Sequence, residues 1–188
     1  MRANLASSLV AALIMGALAA ASPQPASSES FNRDVADVRI VKEVVVAAPP
    51  AAVWRAWTDP AIITQFFAPK ARVELHPGGA YELLFLQDAP AGEQGSEGCT
   101  VLAYLPEKLL AFSWNAPPKF KEARGRHTWV VVELETLPDA RTRVRLTHYG
   151  FGRGDEWSQV HAYFDRAWSS VMNNLVKHFA GGANSPAS

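Results

Sequence analysis

Residues 155–179 read DEWSQVHAYFDRAWSSVMNNLVKHF, and the spacing of their apolar side chains decides the fold. Trp157, Val160, Phe164, Trp168, Val171 and Leu175 recur at intervals of three and four, which is one stripe of a long amphipathic helix. The charged residues Asp165, Arg166 and Lys177 lie mostly off that stripe. Asp155 and Glu156 open the segment, where negative charge suits the helix dipole. A stripe so long and so aromatic needs an equally long apolar surface beneath it.

The strands upstream supply that surface. Residues 141–149 alternate, with Arg143, Arg145 and Thr147 facing out and Val144, Leu146 and His148 facing in. Residues 128–135 put Val130, Val132 and Leu134 on one face. Leu110, Phe112 and Trp114 share a face of the strand before. Further strands are read at 99–104, 80–87, where Tyr81, Leu83 and Phe85 alternate with Glu82 and Leu84, and 71–76. Pro77-Gly78-Gly79, Pro106-Glu107 and Pro138-Asp139 are turn signals. Residues 88–98 read as a mobile loop and 115–123 as a Pro- and Lys-containing loop. A first strand, 38–47, is stopped by Pro49-Pro50, and a short helix follows at 51–57. Asp59 is a natural N-cap for a second helix, with Pro60 at its first position and Ile62, Ile63, Phe66 and Phe67 within it. The order is therefore strand, two short helices, about six antiparallel strands in hairpin sequence, and one long helix. The fold class is α+β: a curved antiparallel sheet wrapped around the C-terminal helix, with room for a cavity between them.

The other end of the chain speaks to location. Arg2 precedes an uncharged run from Leu5 to Ala21, and Ala17, Ala19 and Ala21 give Ala-x-Ala spacing. Residues 1–21 thus have the layout of a secretory signal peptide, too short and Ala-rich for a membrane span. The expected location is secreted or periplasmic. Residues 22–37, rich in Ser, Pro, Ala and Gln, read as a flexible linker, residues 38–181 as the domain, and 182–188 as a disordered tail. Arg2 leaves with the leader, so 18 basic residues become 17 against 18 acidic ones. A near-neutral chain without a basic stripe is a poor nucleic-acid binder. Cys99 is the single cysteine, so no intrachain disulfide can form, and six Trp and nine Phe must stabilise the domain by packing.

These residues also resemble a known family. Ala48-Pro49-Pro50-Ala51-Ala52-Val53-Trp54-Arg55-Ala56-Trp57-Thr58-Asp59-Pro60 is similar to the start of domains of the SRPBCC superfamily, in the branch similar to the C-terminal domain of the activator of Hsp90 ATPase. The Phe66-Phe67 pair, the Pro77-to-Tyr81 hairpin, the Leu110-x-Phe112-x-Trp114 strand, Thr147 to Phe151, and Trp168 extend the likeness in order, over nearly all of the domain. The resemblance implies the helix-grip fold, shared with START, Bet v 1-like and polyketide cyclase proteins, and a deep, mostly apolar cavity. Relatives bind lipids, hormones or polyketides, cyclise substrates, or assist a chaperone, so the fold alone does not fix the function. The leader departs from the cytoplasmic setting expected of this branch.

The chemistry is sparse. His76, His127, His148, His161 and His178 form no metal-binding spacing, no second cysteine exists, and no serine sits in a nucleophile elbow. Gly150-Phe151-Gly152-Arg153-Gly154 is followed by two acids and reads as a structural lead-in to the helix. No metal and no cofactor is expected. His148 points inward among apolar neighbours, as a satisfied core histidine or as a polar anchor or acid/base at one end of the cavity. The residues expected to converge on a ligand are Tyr81, Phe85, Phe112, Trp114, Val130, His148, Phe164 and Trp168, with Phe66 closing the entrance. Many of these also suit ordinary core packing. The leading expectation is an exported domain that binds a small apolar or amphipathic molecule. The alternatives are a cyclase- or hydrolase-type enzyme using His148, and a chaperone-assisting or protein-interaction module.

Overall fold

The computed structural model describes residues 38–182. The expected leader and linker, and the tail from 183 onward, lie outside the described residues. The elements run β1 (Ile40–Val46), α1 (Pro50–Thr58), α2 (Pro60–Phe66), β2 (Lys70–Val73), β3 (Tyr81–Leu84), β4 (Val101–Leu105), β5 (Leu109–Trp114), α3 (Lys121–Arg124), β6 (Thr128–Leu137), β7 (Arg141–Tyr149) and α4 (Asp155–Gly182).

Local chemistry explains the breaks. Pro50 opens α1, where its missing N–H has no helical partner to lose. Asp59 ends α1 and caps α2, its carboxylate accepting from the Ala61 N–H at 3.0 Å. The expected loop at 115–123 holds a one-turn helix at its end, α3, whose Ala123 N–H donates to the Glu156 carboxylate of α4 at 2.7 Å. α4 runs on to Gly182, past the expected helix end near Phe179.

The strands form a five-stranded antiparallel sheet in the order β1-β7-β6-β5-β4 and a two-stranded ladder, β2-β3. The single continuous sheet expected from sequence is thus interrupted between β3 and β4. The interruption is narrow: Ala80 bridges Thr100, and the Tyr81 N–H donates to Cys99 O at 2.8 Å. Strand ends are shorter than the alternation suggested, and Phe85 lies just beyond β3.

The core fills the space between the sheet's concave face and α4. Val130, Val132, Val144, Leu146 and Phe112 from the sheet meet Val160, Phe164, Trp168 and Leu175 from the helix, all buried. Each fully buried large apolar side chain contributes about 1.5–3 kcal/mol relative to exposure. Lys42 also faces inward, and its ammonium meets Asp165 of α4 at 2.7 Å, tying edge strand β1 to the helix. Thr147 sits on the outward row with Val41 and Val131, yet it is only 3% exposed, unlike the open position expected for it.

Candidate functional site: an aromatic pocket at one end of the helix

The core does not close completely. A pocket of about 190 Å³ opens at one end of the sheet–helix interface. α4 contributes Phe164, Ala167, Trp168 and Val171, β5 contributes Trp114, and Phe67 and Phe85 close the side. Trp114 and Trp168 meet at 5.6 Å between ring centroids, and Phe67 stacks on Trp114 at 6.1 Å.

Of the residues expected to hold a ligand, Phe85, Trp114, Phe164 and Trp168 line this pocket. The others sit elsewhere. Tyr81 stacks on Phe112 at 4.1 Å and donates its hydroxyl to Trp57 O at 3.0 Å, deep in the core. Burial pushes the Tyr81 phenol well above its ordinary range, so it stays a neutral donor. Val130 is fully buried under the helix. Phe66 packs against Trp57 and His178, and its neighbour Phe67 takes the place at the pocket wall.

His148 is also buried and does not reach the pocket wall. The Trp168 N–H donates to its Nδ1 at 2.9 Å, and an indole can only donate. Nδ1 must therefore be the acceptor, and Nε2 carries the proton, which it gives to Thr128 Oγ1 at 2.7 Å. The Thr128 hydroxyl in turn donates to Trp114 O at 3.0 Å. Burial first, and His161 second, push the imidazole down to about 3, so it is neutral across the physiological range. Both ring nitrogens are engaged within the protein. His148 is a positioning residue that sets the indole of Trp168, and this geometry gives no support to an acid/base role.

The rim is more ordered than the expected mobile loop. The Glu97 carboxylate accepts from the N–H groups of Gly92, Gln94 and Gly95. The Arg124 guanidinium donates to the carbonyls of Gly92, Gly95 and Ala116 and meets Glu97 at 3.5 Å. One side chain thus fastens the 92–97 loop to the segment after β5. Gly95 is required there, because a Cβ would lie 2.0 Å from Leu83 O. On the other side, Phe120 packs edge-on against Tyr163 of α4, with the Lys119 ammonium over both rings. Gln94, Ser96, Asn115, Pro117 and Tyr163 belong to the pocket wall and escaped the sequence reading.

Among the described residues, no cluster of three His, Cys, Asp or Glu side chains could hold a metal, and no helix is long and apolar enough to cross a membrane. Cys99 is buried, and burial pushes its thiol up to about 12. Its thiolate is essentially absent at neutral pH. We expect a disulfide reagent to label the folded protein on the order of 100-fold more slowly than the unfolded chain. Equal rates would contradict the packing at Cys99.

An antiparallel sheet gripping one long helix, with an apolar pocket between them, defines a helix-grip domain of the SRPBCC superfamily. The chain belongs to the activator of Hsp90 ATPase homolog 1-like protein family, whose model matches residues 47–180. Among solved structures it is similar to protein MLL2253 from Mesorhizobium loti, at 22% identity and TM-score 0.62, over 76% of this chain and 97% of that one. It is similar to CalU16 from Micromonospora echinospora at 22% identity and TM-score 0.57, over 77% and 78% of the two chains. It also resembles PFC0360w, an HSP90 activator from Plasmodium falciparum, at 18% identity and TM-score 0.58, over 73% and 93%. At these identities the likeness is one of fold. No curated protein matches the chain.

Proposed function

We propose that this protein is an exported helix-grip domain that binds a small apolar or amphipathic molecule in the pocket beside Trp114 and Trp168. The observation that carries the reading is the pocket itself, about 190 Å³ with six aromatic side chains in its wall. An apolar cavity of about 150 Å³ stays dry and takes up benzene, so this one suits a ligand of ring size. Burial of such a ligand gains about 25 cal/mol per Å² removed from water. The leader-like residues 1–21 support export.

The test is toluene binding, read by saturation-transfer NMR on the full chain and on Ala167→Phe, which fills the pocket. We expect transfer in the first and none in the second. Absence of transfer in the first, or its persistence in the second, rejects the pocket as the site. Export predicts a mature N-terminus at Ser22 in an exported fraction, and an intact Met1 there would reject leader cleavage.

A second reading, a protein-interaction module, draws on the outward face of the sheet. Val41, Trp129 and Leu105 are exposed there at 39%, 39% and 55%. It predicts that Trp129→Lys abolishes partner binding while toluene uptake is unchanged.

A further inference from the structure

Two cavities lie along one face of α4, and a single ring divides them. Beyond the pocket, the next turns of the helix present Asn174, Lys177 and His178 to a groove of about 650 Å³. The end of α2 forms its other wall. Of the residues lining either cavity, Phe67 alone belongs to both.

Phe67 is placed to move. It is half-buried and follows the last residue of α2, with φ −109° and ψ −56°. Its N–H is bonded to Ile63 O at 2.9 Å, and a side-chain rotation leaves that bond intact. Its ring touches Trp57 and Trp168 edge-on, at 5.7 and 5.8 Å, and it tilts against Phe85 at 6.0 Å. Trp57 is notable in itself. Among the described residues its Nε1 is the one buried side-chain polar atom without a hydrogen-bond partner. A buried N–H left unpaired is costly, and it belongs to an indole that the Phe67 ring meets edge-on. The groove beyond carries Lys177 and His178 in its wall and no carboxylate. Ligand sites for larger molecules measure about 300–1,000 Å³, more than the pocket offers alone.

We propose that Phe67 is a swinging partition, and that pocket and groove form one elongated site for a molecule with an apolar body and an anionic end-group. The body displaces the Phe67 ring and fills the pocket, and the end-group lies beside Lys177 and His178. This rests on the ligand reading above and names the ligand class for it.

The experiment is calorimetric titration of the full chain with toluene, decanol and decanoate. We expect decanoate to bind more tightly than decanol. Phe67→Ala removes the ring that must be displaced, and it should raise the preference for decanoate over toluene on the order of tenfold. Lys177→Gln lies on an exposed position and should lower the preference for decanoate over decanol by roughly threefold. Toluene binding with decanoate no tighter than decanol, or with the preference for decanoate over toluene unaffected by Phe67→Ala in a variant with native near-ultraviolet dichroism, overturns the partition and leaves the pocket reading standing. Failure of all three probes to bind overturns both.

Discussion

His148→Ala is expected to lower the unfolding free energy by about 4 kcal/mol, the sum of a lost buried ring and two stranded polar groups. The Trp168 N–H loses its acceptor, and Thr128 Oγ1 loses its donor, both in the core. The void also removes ring contacts with Phe151 and Phe164, at 4.5 and 4.8 Å. Urea unfolding measures the loss, and a change under about 1 kcal/mol would show that the chain of bonds contributes little beyond an exposed substitution.

The same residue sets an acid limit. Its pKa is lowered from 6.5 to about 3 on folding, so the unfolded chain takes up the proton first. The stabilisation from the neutral imidazole is complete above pH 6.5 and is lost progressively as pH falls from 6.5 toward 3. Each pH unit in that window removes about 1.4 kcal/mol for one proton. Charged and titratable groups elsewhere contribute too, so the comparison is with His148→Asn, whose stability curve should be flatter across that window. Parallel curves would mean that the imidazole is protonated in the folded protein.

Arg124→Ala should be the second large effect, at about 3 kcal/mol, because several carbonyls and the Glu97 carboxylate lose a charged donor at once. The side chains of this pair are only 15% and 21% exposed, so solvent replaces the bonds poorly. Amide exchange at Gly92, Gln94 and Gly95 should accelerate on the order of 100-fold as the rim loosens. Arg124→Lys should not rescue it, since one ammonium cannot span the acceptors that a planar guanidinium reaches. Slow exchange retained in Arg124→Lys would assign the rim's order to Glu97 alone.

Periodicity carried most of the architecture. The stripe from Trp157 to Leu175, the Asp59 cap and the alternation of β5, β6 and β7 are local patterns, and the structure places them as read. The pocket was half legible. Alternation puts Tyr81, Phe112, Val130 and His148 on the concave face, but it cannot say how far along that face the helix fills the space. The His148 chain fills it there, and the opening is left to Phe85, Trp114, Phe164 and one side of Trp168. Phe66 and Phe67 are identical neighbours, and only the end of α2 decides which of them meets the pocket. The rim was illegible, because Arg124 and Glu97 find carbonyls and amides across long sequence gaps with no period to announce them.

The register of the sheet bears on the order of events when the chain is made. Ile40 pairs with His148 and Val46 with Thr142, so among the described residues β1 finds its only ladder partner in β7. Long-range pairing of this kind is late and slow, because the whole intervening loop must close first. A chain emerging from its N-terminus can therefore hold β1 without completing the sheet until β7 has been synthesised. That delay ties completion of the fold to arrival of the final hairpin and helix.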